Sequence, residues 1–411
     1  MKKLLTLLLI QAIFCVGIFG QNTFEVHYDA TINPAWEIYT SNNSNIIQTA
    51  DGGYLISGGV YDITSGYYYA LLIKTDNRGF PIWLKTYSDN LNSVSYDIIN
   101  TNDGGYILLT SERLFKLNQN GDSLWSKPLD GFIDIEPTND DGFVIGGYDY
   151  ILKFNAFGDT LWSKNFGLMR IKQTYDSGFI GLGQGGIVKL DSIGDTLWTK
   201  SYNGINTSGS FLGSIQQTSD GGYIFGGSTS GNLIVMKLNT VGDVVWAKTY
   251  GGGGAIDIQQ TFDDGFIMGR GGANILRIDS IGNVLWDRTY ISPIGNNCGL
   301  SSLKQTSDGG VIFVGYEGVG APWSREKLTK TDANGNICLT GPNYNNVQAS
   351  IVNITLSSLS ISLNSPYTFP STNSVVSIDN FNSFNFTNAI GITSPPICLI
   401  SVDSTSTKNK V

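Results

Sequence analysis

Gln217-Thr218-Ser219-Asp220-Gly221-Gly222-Tyr223-Ile224 is one of seven variants of a single phrase, and the architecture follows from its recurrence. The threonine of the phrase stands at Thr49, Thr101, Thr138, Thr174, Thr218, Thr261 and Thr306, so the phrase returns every 36 to 52 residues. A second phrase follows, typified by Lys189-Leu190-Asp191-Ser192-Ile193-Gly194-Asp195-Thr196-Leu197-Trp198. Its tryptophan returns at Trp83, Trp125, Trp162, Trp246 and Trp286. Self-similarity at this period marks an array in which each unit buries its faces on its neighbours.

Within one unit the phrases separate four short strands. In the fifth, Ser214 to Gln217 enters the Asp220-Gly221-Gly222 turn and Tyr223 to Phe225 leaves it. Leu233 to Leu238, the Thr240-Val241-Gly242-Asp243 turn and Val244 to Tyr250 follow. Asp-Gly and Gly-Asp steps supply the positive φ that tight hairpins need, and β-branched and aromatic residues fill the stretches between them. With 51 glycines, 12% aromatic and 14% charged residues, the composition suits short strands rather than long helices. Seven such units predict an all-β chain, a seven-bladed β-propeller of four-stranded blades over residues 21–340. Trp36 lies thirteen residues before Thr49, the offset that separates Trp125 from Thr138. The strand Ala35 to Tyr39 is therefore expected to complete or buttress the last blade, where Cys338 stands in place of a tryptophan, and so to close the ring. After Thr340 the phrases stop. Residues 341–411 read as a β-rich C-terminal segment, with alternation in Ile351-Val352-Asn353-Ile354-Thr355-Leu356, and as the opening of a further module.

Residues 1–20 read as a signal peptide: Lys2 and Lys3, an apolar stretch from Leu4 to Ile18 broken only by Thr6 and Gln11, then small Gly20 before Gln21. The stretch is too short and wrongly flanked for a membrane span, so the expectation is a secreted or cell-surface protein without membrane insertion. The formal charge of -9 becomes -11 once those two lysines are removed. Such a surface repels phosphate backbones and anionic headgroups, which argues against nucleic acid as a partner. In an oxidising compartment Cys338 and Cys398, set in Asn-Ile-Cys-Leu and Pro-Ile-Cys-Leu, are candidates for a disulfide. Three free thiols, with Cys298, are the alternative.

The phrases Asp-Gly-Gly-Tyr-Ile and Leu-Asp-x-x-Gly-Asp-x-Leu-Trp-x-Lys-x-Tyr resemble the repeats of secreted β-propellers of Bacteroidetes, from about Trp36 to Cys338. The resemblance implies export, and in that group the propeller often precedes a fibronectin-like module and a sorting domain for type 9 secretion. Pro396 to Ser404 is similar to the opening of such a module. A looser likeness to quinoprotein propellers rests on Asp191, Gly194 and Trp198. It comes without the adjacent cysteines their quinone chemistry uses, and implies shared blade packing with no cofactor.

Acidic runs such as Asp332-Ala333-Asn334-Gly335-Asn336 lack the later bidentate acid of a calcium loop. Turn formation explains them, and no metal site is expected. The tryptophans are expected to pack between blades. The lysine series (Lys74, Lys116, Lys153, Lys189, Lys237, with Lys85, Lys127, Lys164, Lys200, Lys248) is expected as a solvated outer face with stems along the sheet. The single histidine, His27, lies outside the repeats, so no histidine triad is available inside the ring. Acids from different blades meeting in the central channel are the remaining catalytic route, that of a polysaccharide-acting enzyme.

Because strands alternate in direction, the constant turns share one rim, and the variable second-to-third and blade-to-blade connections share the other. The longest of the latter run from Val60 to Tyr69, Ser88 to Ser95, Asn203 to Gly213, Ile291 to Gly299 and Tyr316 to Arg325. Variable loops on a rigid scaffold are where binding resides. Tyr61, Tyr67, Tyr68 and Tyr69 of the first blade, with Tyr316 and Trp323 of the seventh, are neighbours in a closed ring. They are candidate ligand-binding residues, a stacking surface for glycan or for an extended segment of a surface protein. Some of them read equally as plain strand residues. The expected function is that of a non-catalytic extracellular binding, adhesion or scaffold propeller.

Overall fold

The computed structural model describes residues 9–16, 22–29, 36–39, 44–62, 64–88, 92–183, 186–202, 205, 213–290, 298–320, 323–337, 343–344, 350–351 and 356–357. Every regular element among them is a strand. Each repeat forms one antiparallel sheet whose strands run outward in chain order. The inner strands are Asn45–Gln48, Ser95–Asn100, Phe132–Pro137, Arg170–Gln173, Ser214–Gln217, Ala255–Gln260 and Cys298–Gln305 for blades 1 to 7. They neighbour one another in that order, and the seventh returns to the first. Seven apolar clusters lie between successive blades, the last joining Ile312, Val314 and Leu328 of blade 7 to Ile46, Ile56 and Ile73 of blade 1. The ring is closed.

An N-terminal strand closes it, but not the expected one. Asn22–Asp29 is the outer strand of blade 7, paired with Trp323–Thr331. The slot requires an aromatic or apolar ring under the next blade's turn glycine and, in most blades, a tyrosine four residues later. Tyr87, Tyr202, Tyr250 and Tyr290 each donate a hydroxyl to that glycine's carbonyl at 2.7 to 2.8 Å. Phe24 and Tyr28 have this spacing, and Tyr28 donates to Gly79 O at 2.7 Å. Trp36 is followed four residues on by Thr40. Its strand, Trp36–Tyr39, instead pairs with the far end of the second strand of blade 1, Gly59 to Asp62, and lies against Trp323–Thr331, so it buttresses the last blade without completing it. Leu9–Val16, within the stretch read as a leader, pairs with the outer edge of Asn22–Asp29.

Both phrases have physical work in the blade. In blade 1 the Thr49 hydroxyl and the Gly53 N–H both donate to Asp51, at 2.6 and 3.0 Å. Lys74 Nζ reaches the same carboxylate at 2.8 Å and also donates to Thr75 O. Lys116–Asp103, Lys153–Asp140, Lys189–Asp176, Lys237–Asp220, Arg277–Asp263 and Lys330–Asp308 repeat the pair. These cations are buried, which corrects the expectation of a solvated face for this half of the lysines. A buried ammonium persists only where it is paired and hydrogen-bonded, and each turn supplies both partners. Burial raises the Asp51 and Asp103 carboxyls, but the lysine and threonine hydrogen bonds win and hold them at about 2.

The other half behaves more nearly as expected. Lys85, Lys164 and Lys200 lie over the tryptophan of their own strand, 5.5 to 5.9 Å from the ring, and pair with Asp122, Asp195 and Asp243 of the next blade. The tryptophans themselves pack across blades. Trp83, Trp125, Trp162, Trp198, Trp246 and Trp286 face Gly121, Gly158, Gly194, Gly242, Gly282 and Gly335, where a Cβ would come within 2.6 to 3.2 Å of the indole. The residue before each tryptophan is a bulge, skipped by the pairing register. That lifts Ile82, Leu124, Leu161, Leu197, Val245 and Leu285 into solvent. The glutamine of the first phrase staples blades together: Gln173, Gln217, Gln260 and Gln305 accept the N–H of Asn139, Tyr175, Ser219 and Phe262 in the preceding blade at 2.7 to 3.0 Å.

After the last blade, Asn343–Tyr344, Ser350–Ile351 and Leu356–Ser357 are described, and each pairs with the outer edge of a blade. Cys338 and Cys398, the proposed disulfide, lie outside the described residues.

Candidate functional site

The rim carrying the second-to-third hairpins is richest in tyrosine over blades 1 to 3. In blade 1 the expected loop from Val60 to Tyr69 is mostly strand: Tyr54–Asp62 and Tyr67–Thr75 pair without interruption to the tip. Their register sets Tyr61 opposite Tyr68, with ring centroids 4.8 Å apart and planes tilted by 42°. Tyr67 is 44% exposed at the tip. The Tyr69 and Ser65 hydroxyls meet at 3.3 Å. Burial raises the Asp62 carboxyl, but the hydrogen bonds from Thr64 and Ser65 together outweigh it and hold the group below its usual value. The hairpin is anchored to the link into blade 2, where Tyr68 N–H donates to Asn92 Oδ1 at 3.0 Å and Ser93 N–H donates to Tyr68 O at 2.9 Å.

That link leads to an aromatic the sequence reading passed over. Tyr96 occupies a bulge in the inner strand of blade 2, between Ser95 and Asp97. Burial, with Tyr148 and Asp130 nearby, pushes its phenol pKa up. Tyr148, 52% exposed, and half-buried Tyr150 form the second-to-third turn of blade 3, the topological place that Tyr61 to Tyr68 hold in blade 1. The signal was present as Tyr148-Asp149-Tyr150, but a tight turn does not stand out when long connections are sought.

Two other candidates lie on the adjoining blade, blade 7. Tyr316 is half-buried on the second strand of blade 7, its ring against Gly299 and its backbone opposite Glu326. Trp323 begins the third strand of that blade, opposite Gly320. Between blades 7 and 1, Glu326 is buried. Its Oε2 accepts from the Ser44 hydroxyl at 3.3 Å while Oε1 has no hydrogen-bond partner among the described residues. Burial pushes its pKa up to about 8.

The channel brings together acids from several blades. Asp97 accepts from Ile98 N–H at 2.8 Å and, across the blade boundary, from Ile135 N–H at 3.1 Å and from Asn45 Nδ2. Asp134 accepts from Ile171 N–H at 2.7 Å. Glu136 pairs with Lys172 at 2.6 Å, and Asp257 with Lys304 at 3.4 Å. Burial and then the Asp134 carboxylate raise Asp97 to about 6, while Glu136, Asp134 and Asp97 keep Lys172 charged against the pull of burial. Each acid thus fills a polar vacancy on the adjacent blade, as buried polar groups must. No group of three or more metal-ligating side chains occurs among the described residues.

On the opposite rim a groove opens between blades 1 and 2, lined by Gln48, Ala50, Asn100, Thr101 and Tyr106 among others. It lies where Asn100 replaces the stapling glutamine and donates instead to Gln48 O at 2.9 Å.

No protein-family model matches this chain, and neither does any curated protein. Solved structures resemble it in fold. The Pan2 WD40 domain of Neurospora crassa superimposes with a TM-score of 0.51 at 11% identity, covering 70% of this chain and 88% of that one. BamB from Moraxella catarrhalis gives 0.47 at 16% identity, covering 79% of this chain and 100% of that one. A protein of unknown function from Bacteroides caccae gives 0.42 at 12% identity, covering 71% and 94%. At these identities the likeness shows a β-propeller and nothing about chemistry.

Proposed function

We propose that the chain is an exported, non-catalytic binding propeller, secreted or held at the cell surface, whose ligand docks on the hairpin rim of blades 1 to 3. The observation that carries this reading is the tyrosine group on a rigid support: Tyr61 and Tyr68 in contact, with Tyr67 and Tyr148 exposed. Tyrosines give large, stiff, amphipathic contact area at low entropic cost. Asp62, Asp130 and Asp149, on the same turns and links, add carboxylates that accept from hydroxyl and amine donors. A glycan, or an extended segment of a surface protein, fits that chemistry. Tyr316 and Trp323 extend the proposed surface onto blade 7. The test is a glycan and surface-protein binding panel with the chain from residue 21 onward. Tyr61→Ala with Tyr68→Ala should weaken the strongest ligand at least tenfold with little change in melting temperature. Unchanged binding would remove the rim from the account.

A second reading, a polysaccharide hydrolase, has one observation in its favour: Asp97, raised to about 6 beside Asp134. Its oxygens are already engaged by three donors, so a substrate would have to displace bonds that tie blades together. Release of reducing ends from a polysaccharide panel, abolished by Asp97→Asn in a folded variant, would establish it.

A further inference from the structure

The three pieces described after the last blade step around the outside of the ring. Asn343 pairs with Thr289 on blade 6, Ser350 with Thr249 on blade 5, and Ser357 with Ser201 on blade 4, all antiparallel. Each contacted residue is third after its blade's tryptophan (Trp286, Trp246, Trp198), and the paired residues are seven apart. Seven extended residues reach at most about 25 Å. Equal steps in equal register mean that this stretch advances one blade at a time along the outer edges.

Three features mark blade 3 as the next step. At the same spacing the next residue is Asn364, small and polar like Asn343, Ser350 and Ser357, and its counterpart third after Trp162 is Asn165. The third-to-fourth turn carries an exposed apolar side chain in blades 3 to 6, Phe157, Ile193, Val241 and Ile281. Arg78, Asn120 and Asn334 hold that place in blades 1, 2 and 7. The blades already visited are thus three of the four so marked. Beyond blade 3 the equivalent edge position is Pro128, which has no N–H to offer, and proline on a sheet edge blocks further pairing.

We propose that the outer edge of blade 3, Thr160–Lys164 with Asn165, is the fourth station of this C-terminal strand and takes the residues around Asn364. The chain then fastens four consecutive blades from outside by backbone pairing, the chemistry of strand addition. The test is hydrogen exchange on the full chain and on chains ended after Ser357 and after Thr340. Ending after Ser357 should speed exchange of amides 160–165 at least tenfold and leave 123–128 and the outer strands of blades 4 to 6 unchanged. Ending after Thr340 should speed blades 4 to 6 as well. Unchanged exchange at 160–165 after the first truncation overturns the fourth station. In parallel, Asn165→Cys with Asn364→Cys should form a disulfide-linked peptide, as should Thr249→Cys with Ser350→Cys. Linkage of the second pair without the first overturns the proposal, and failure of both overturns the three nearer stations with it.

Discussion

Lys153 and Lys164 belong to one blade and have opposite surroundings. The Lys153 side chain is 4% exposed and donates to Asp140 and to Phe154 O, whereas Lys164 is 23% exposed and pairs with Asp195 of the next blade. Lys153→Ala strands a carbonyl and a turn carboxylate, and should cost about 1–3 kcal/mol in chemical denaturation. Lys164→Ala removes an exposed pair and should cost about 0–1 kcal/mol. Equal small effects would return both lysines to the solvated face. Periodicity shows that both recur but not which one meets the turn aspartate. That depends on the hairpin register, which pairs Lys153 with Val144 on one side and Trp162 on the other.

At the scale of elements, the four strands of each repeat were legible because glycines and aspartates punctuate them. The closing strand was not, because tryptophan alone does not mark it. The fuller pattern is a ring, three residues, then tyrosine, and Phe24 to Tyr28 has it. The same packing explains a strict glycine. Gly194 has φ +81°, and a Cβ there would lie 2.9 Å from Trp162. Gly194→Ala should therefore lose about 2–4 kcal/mol, from backbone strain and overpacking together, read as a lower denaturation midpoint.

The seam between blades 7 and 1 predicts a pH dependence. Glu326 is raised from 4.5 to about 8 in the folded chain, so between those values the folded state binds the extra proton and stability falls as pH rises. Glu326→Gln should flatten that slope and recover on the order of a few kcal/mol at pH 9 relative to the parent. An unchanged slope in urea unfolding from pH 6 to 9 would place the carboxyl in water.

For the whole molecule, seven phrases gave seven blades because each sheet has two apolar faces that only neighbouring blades can cover, and the clusters between blades follow. The candidate rim was legible by topology, since strand alternation alone separates constant turns from variable links. Its extent was not: Tyr96 reaches the group through a bulge and Tyr148 through a short turn, and neither departs from repeat spacing in a way the sequence displays. The described strands after blade 7 pair with the outer edges of blades 4 to 6, partners more than 50 residues away that no local pattern displays. A crystal structure of the chain tests the central claim most directly. It should show seven blades around one axis, with Asn22–Asp29 as the outer strand of the last and the Tyr28 hydroxyl on Gly79 O. Trp36–Tyr39 in that slot, an open stack, or any other number of blades would contradict the account.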